Sequence, residues 1–237
     1  ILPYSSFDLV VMPRHDAPPA RSNIVAVHGA LCAVTEASMA EDFQALVRSR
    51  PDLKEEESFG GPTIGLLVGG DAKNYELPVA MIRQVCQEIK KFLETRQAHL
   101  LITTSRRTSG ALIQVLRDHF GQDSRCRLLV VASEENPTGT VGGIFHLSDM
   151  LVVSAESISM VSEAIASRKP VIVFEPRRKT PAHKNRRFLE ESARAGLIHR
   201  VMPDEIRDRC EEFARNATLG VPANADPDLQ GALKKLF

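Results

Sequence analysis

The sequence predicts an α/β fold: a doubly wound parallel sheet, Rossmann-like, joined to the closing part of a second α/β domain. Two observations lead there. From residue 60 onward, short runs that are apolar at nearly every position recur, and helix-period stretches separate them. Strands that are apolar on both faces belong to a sheet covered on both sides, the usual setting of parallel strands. Right-handed crossovers then wind such strands into an open sheet with helices above and below.

Taken in order, Phe7–Met12 (FDLVVM) and Ile24–Val27 (IVAV) read as strands, and a helix-compatible stretch follows near Glu36–Arg48. Residues 1–55 therefore read as the end of a truncated N-terminal α/β domain. The chain opens on Ile1-Leu2-Pro3 without a Met, so the beginning of that domain is expected upstream. Arg50–Gly61 is a charged linker bounded by Pro and Gly. Thr63–Gly69 is an apolar run. Pro78–Gln97 has helix periodicity through Ile82, Val85, Cys86, Ile89, Phe92 and Leu93. His99–Thr104 is a second run, and Thr108–Phe120 a second helix with Leu112, Val115, Leu116 and Phe120 on one face. Cys126–Ala132, Met150–Val153 and Val171–Phe174 are the third, fourth and fifth runs. Residues 60–205 form one Rossmann-like domain on this reading. Residues 206–217 follow as a charged amphipathic helix, and the remainder to residue 237 is a loosely held tail.

Bulk composition removes several functions. The 237 residues are 43% hydrophobic, enough for a core, and 30 basic residues balance 30 acidic ones, so no overall field attracts nucleic acid. No Trp and only two Tyr leave little with which to stack bases. No apolar stretch reaches the ~20 residues that span a bilayer, and no signal peptide is visible. Cys32, Cys86, Cys126 and Cys210 form no CxxC pair, so they read as buried free thiols and not as a metal site. A cytoplasmic protein is expected.

In a doubly wound sheet, ligands bind beyond the carboxyl ends of the strands, so the loops there are searched for chemistry. After the first strand comes Gly69-Gly70-Asp71-Ala72-Lys73-Asn74, where paired glycines either admit a ligand to the backbone or merely make a tight turn. The chain has no GxGxxG or GxxxxGK[ST]. After the second strand, Thr103-Thr104-Ser105-Arg106-Arg107-Thr108 places two arginines at a helix start. They suit phosphate, with Ser105 or Thr108 capping the helix. After the third, Ser133–Gly139 carries Asn136, fit for a base or sugar, in a segment of ordinary turn formers. The fourth strand runs into Ser154-Ala155-Glu156-Ser157-Ile158-Ser159-Met160-Val161-Ser162-Glu163. Ser157 and Ser159 can cap a helix whose free N–H groups and dipole suit phosphate. Glu163 is no capping-box partner of Ser159, since that spacing would need Ser or Thr at Met160. It lies four residues on from Ser159, on the same face. The basic run at residues 177–187 could face a diphosphate, an acidic acceptor or anionic lipid, or be a solvated, salt-bridged helix start. His28 and His146 have no ligand spacing and read as structural.

The ordered stretches LLVGGDAKNY, ITTSRRT, EENP and DxLVVSAESISMVSEA followed by Lys-Pro-Val resemble the "mitochondrial fission" family of plants and bacteria, over roughly residues 5–200. That family is similar to GT-B glycosyltransferases, and the piece around residues 157–171 looks like the donor-binding helix of enzymes that add N-acetylglucosamine. The resemblance implies that Glu163 holds the ribose hydroxyls of a nucleotide sugar, with Ser157 and Ser159 at its diphosphate. Gly69, Gly70, Arg106, Arg107 and Asn136 complete the expected donor site. The family's Asp-Gly-Lys-rich motif is not seen. Arg168 stands where the family typically has Gly, at a helix C-cap.

The expected activity is a metal-independent, inverting transfer from a nucleotide-diphosphate sugar, UDP-linked, to a saccharide or lipid-linked acceptor, without a cofactor and with no catalytic base assigned. Peripheral contact with the cytoplasmic membrane face, or with an organelle surface in a eukaryote, accompanies it. The alternative is a non-catalytic interaction protein on the same fold, with a role in organelle or membrane division. An epimerase is disfavoured by the missing GxGxxG and because neither Tyr4 nor Tyr75 has Lys four residues on.

Overall fold

The computed structural model describes residues 3–56, 60–180 and 183–216. The tail expected beyond residue 216 lies outside them. A short parallel pair, β1 (Val10–Pro13) and β2 (Ile24–Val27), begins the described chain. β1 starts three residues later than its apolar run, because Tyr4–Ser6 turns as a 3-10 helix and Phe7 is left exposed. Helix α1 (Glu36–Ser49) follows, its N-terminus closed by a reciprocal Thr35–Ser38 capping box.

The main sheet has six strands, all parallel: β3 (Thr63–Val68), β5 (His99–Thr104), β6 (Cys126–Val130), β7 (Met150–Ser154), β8 (Val171–Phe174) and β10 (His199–Val201). Their spatial order is β10-β8-β7-β3-β5-β6. The chain enters at the centre, runs out to β6, crosses back to β7 and runs out the other way. Two-stranded β4 (Tyr75–Glu76) and β9 (Arg177–Arg178) pair antiparallel above it.

Alternation along each strand divides the core. Ile64, Leu66, Ile102, Val152, Ile172 and Phe174 point to one face, where α2 (Val79–Arg96), α3 (Gly110–Phe120) and α7 (Ile206–Arg215) cover them. Leu67, Leu101, Leu128, Leu151, Val153 and Val173 point to the other, under α1, α4 (Thr140–Leu147), α5 (Ile158–Ala166) and α6 (His183–Arg194). The apolar faces read from the sequence for α2 and α3 are the buried faces. Among the described residues no helix is long and apolar enough to cross a membrane.

Three differences from the sequence reading have local causes. β10 escapes a search for apolar runs because it is a three-residue edge strand of His, Arg and Val. α4 escapes because it contains Gly142 and Gly143, poor helix formers. They are needed there: a side chain on Gly142 would come within 2.1 Å of the Asp42 carboxylate of α1. Thus α1, grouped by sequence with the N-terminal piece, packs on α4 and helps close the second layer of the main sheet. The linker is also less open than its charge implies. Leu53 is fully buried, and Arg50 bonds both Asp52 and the carbonyl of Arg127.

The cysteine reading needs one correction. Cys86 and Cys210 are buried and Cys126 is half-buried, with burial pushing the thiols of Cys86 and Cys126 up to about 12, but Cys32 is exposed. It sits on the loop after β2 that leans on α5, donating to the carbonyl of Ser162 at 4.0 Å. His28 is hydrogen-bonded to Ser192 at 2.9 Å, and His146 stacks on Phe43.

Candidate functional site at the sheet switch point

The strand order reverses between β3 and β7, so their carboxyl ends open a crevice where ligands of such sheets bind. Three loops meet there. The loop after β3 carries Gly69 and Gly70, both buried. The Gly69 amide donates to Ser154 Oγ at 2.8 Å, at the end of β7. A side chain on Gly70 would lie 2.2 Å from the carbonyl of Arg107, so this glycine lets the loop after β5 press against the loop after β3.

The loop after β5 is pinned by Thr108. Its hydroxyl donates to the carbonyl of Gly69 at 2.6 Å and accepts from the Ser105 amide at 3.0 Å. Of the two caps offered by sequence, Thr108 is thus a strand-to-strand pin, and the pin holds Arg106 and Arg107 at the crevice. Both arginines are exposed, and among the described residues neither forms a salt bridge, although Arg107 acts on the nearby Glu156 carboxyl.

At the third loop, Ser157 caps α5, accepting from the Met160 amide at 3.4 Å. Ser159, exposed on the first turn, makes no capping bond. Glu163 lies on the second turn, half-buried, and its carboxylate has no hydrogen bond among the described residues; burial raises its pKa. The loop after β2 packs on the same helix, with the Ala30 amide donating to Ser162 Oγ at 2.9 Å.

Sequence reasoning missed Glu156. It is 5% exposed, immediately before the cap, and accepts from Ser154 Oγ at 3.1 Å. A side chain on Gly69 would overlap its carboxyl, 1.4 Å from Oε1, so Gly69 exists to make room for it. Burial pushes its pKa up, opposed by the nearby Gly70 amide and by Arg107. The available signal was an acidic residue between a strand end and a helix cap, which reads as exposed until the glycine loop closes over it.

Two expected contributors stand apart. Asn136 is exposed beyond edge strand β6, at the far side of the sheet from the β3–β7 crevice. The basic run at residues 177–187 is largely neutralised. Arg177 pairs with Glu76, Arg178 with Glu175 at 2.9 Å, Lys179 with Asp71 at 3.6 Å and Lys184 with Asp16 at 2.6 Å. Arg186 and Arg187 pair along α6 with Glu190 and Glu191. This is the salt-bridged helix start that the sequence offered as the alternative to a ligand role.

The same architecture occurs in known structures. UDP-GlcNAc 2-epimerase from Neisseria meningitidis, bound to UDP-GlcNAc, superposes with a TM-score of 0.59 at 12% identity, over 93% of this chain and 57% of its own. Another UDP-N-acetylglucosamine 2-epimerase gives 0.53 at 15% identity, over 98% and 58%. A trehalose 6-phosphate synthase from Burkholderia multivorans gives 0.51 at 12%, over 90% and 47%. The chain spans about half the length of these proteins, and the shared element is the GT-B, Rossmann-like fold. No curated protein sequence matches. Residues 1–218, nearly the whole chain, match one family, and the protein belongs to the mitochondrial fission ELM1 family.

Proposed function

We propose that this chain binds a nucleoside-diphosphate sugar at the β3–β7 switch point and supplies the donor half of a metal-independent glycosyl transfer. The observation that carries the reading is the pairing of unsatisfied groups there. The first turn of α5 and two exposed arginines that form no salt bridge among the described residues face one crevice, and the Glu163 carboxylate, with no hydrogen bond among them, stands one turn further along the helix. A helix N-terminus and arginines suit a diphosphate. A carboxylate without a partner suits a ribose diol, whose hydroxyls donate to it. During transfer the departing diphosphate gains charge, and preorganised donors of this kind stabilise it without a metal. The Neisseria epimerase of similar fold holds UDP-GlcNAc, which favours a UDP-linked donor.

Residues 60–205 would form the donor-binding domain. Residues 1–55, apart from α1, which packs on α4, would belong to an acceptor-side domain that presents a saccharide or lipid-linked acceptor to the crevice. Gly69 and Gly70 serve here by shaping the loop, and Asn136 has no assigned contact.

Calorimetry with UDP and UDP-GlcNAc tests the reading. Glu163→Ala removes hydrogen bonds to a charged group, worth about 1.5–3 kcal/mol, so affinity should fall roughly ten- to a hundredfold. Equal affinity removes Glu163 from the site. Failure of the unaltered protein to bind either ligand sinks the nucleotide reading and leaves the non-catalytic interaction role.

A further inference from the structure

Glu156 presents an unusual balance sheet. One carboxyl oxygen accepts from Ser154, whose own oxygen accepts from the Gly69 amide, and the Gly70 amide faces the same group. The other oxygen, Oε2, is sealed from solvent and has no hydrogen-bond partner among the described residues. Few charged groups surround it. Arg107 approaches from the loop after β5, itself exposed. From β4, the buried Tyr75 hydroxyl acts on it, and that hydroxyl is itself held by the Arg178 guanidinium and lies within the field of Glu175. From α6 the hydrogen bond among the described residues is neutral, the Asn185 amide donating to the Glu156 main-chain carbonyl at 3.1 Å. An ionised carboxylate would leave a buried charge with an unsatisfied oxygen, which is far costlier than a buried neutral acid.

We propose that Glu156 is a positioning residue of the ligand site, whose buried carboxyl clamps the Gly69–Gly70 turn against the first turn of α5. Through Ser154 and the two glycine amides it fixes the gap between the loop that holds Arg107 and the helix start. Losing its proton has two effects. The carboxylate draws toward water and Arg107, which loosens the turn, and its charge repels an incoming phosphate. Anions therefore bind the protonated form more tightly. The inference rests on reading this crevice as a nucleotide site.

The test is UDP titrated against the unaltered protein and Glu156→Gln between pH 5.5 and 9. The ligand's own ionisation affects both proteins equally, so the ratio of affinities isolates Glu156. Gln keeps a neutral clamp. The unaltered protein should match it at low pH and then lose affinity by up to tenfold per pH unit once Glu156 titrates. Parallel profiles overturn the clamp while leaving the nucleotide site standing. If UDP binds neither protein at any pH, the nucleotide reading fails, and carboxyl NMR without ligand decides the clamp. One glutamate should keep its proton well above the ordinary carboxylate range, its titration should speed exchange of the Gly70 amide, and its signal should survive in Glu163→Gln. If every glutamate titrates normally, the clamp is overturned even if Glu156→Gln does not fold.

Discussion

Single residues carry the local strain and most of the chemistry. Arg168 ends α5 with φ +59, in the left-handed region that glycine occupies freely. The sequence identified this position as a helix C-cap where the family carries Gly, and the backbone confirms the physical reason. Arg168→Gly should raise stability by about 1 kcal/mol, read as a higher urea midpoint at unchanged m value. Glu163 was legible because its spacing offered no capping role. Glu156 was not, because its burial depends on a glycine 87 positions away in sequence.

Elements act by what they hold in place. The pin between β3 and the loop after β5 is the clearest case. Thr108→Val keeps the shape but leaves the Ser105 amide and the Gly69 carbonyl without this partner in a buried place. The cost should be roughly 1–3 kcal/mol in unfolding free energy. Calorimetry on the same variant should show weaker UDP binding, since Arg106 and Arg107 lose their support; unchanged affinity would separate the pin from the site. Helices α2 and α3 were readable from periodicity because each lays one apolar face on the sheet. Helix α4 was not, because its glycines answer to the approach of α1, a tertiary demand.

For the whole molecule, two sets of partly or fully buried groups pull the pH response in opposite directions. Burial lowers the pKa of His15, His28, His99 and His199, so they favour the folded state fully above the unfolded value of 6.5. That stability is lost as pH falls through the folded values. Glu156 and Glu163 are shifted up by burial, so their effect runs the other way: stability declines as pH rises from 4.5 through their folded values. The two sets oppose each other on acidification from pH 7.5 to 5. Glu156→Gln removes part of the compensation, so its urea midpoint should fall more steeply over that range than that of the unaltered protein. The extra slope is at most about 1.4 kcal/mol per pH unit for the one site.

The layered α/β architecture and the five longer strands were legible in the residues alone, because burial on both faces writes itself as an unbroken apolar run. The sequence also placed Arg106 and Arg107 beyond one strand end, and Ser157, Ser159 and Glu163 along the start of the helix beyond another. Only the tertiary structure decided which loops converge, since the strand order puts β3 beside β7 and leaves Asn136 at the far edge. It alone neutralised the basic run at residues 177–187 and buried Glu156, because charge pairing and burial depend on neighbours that lie far away along the chain.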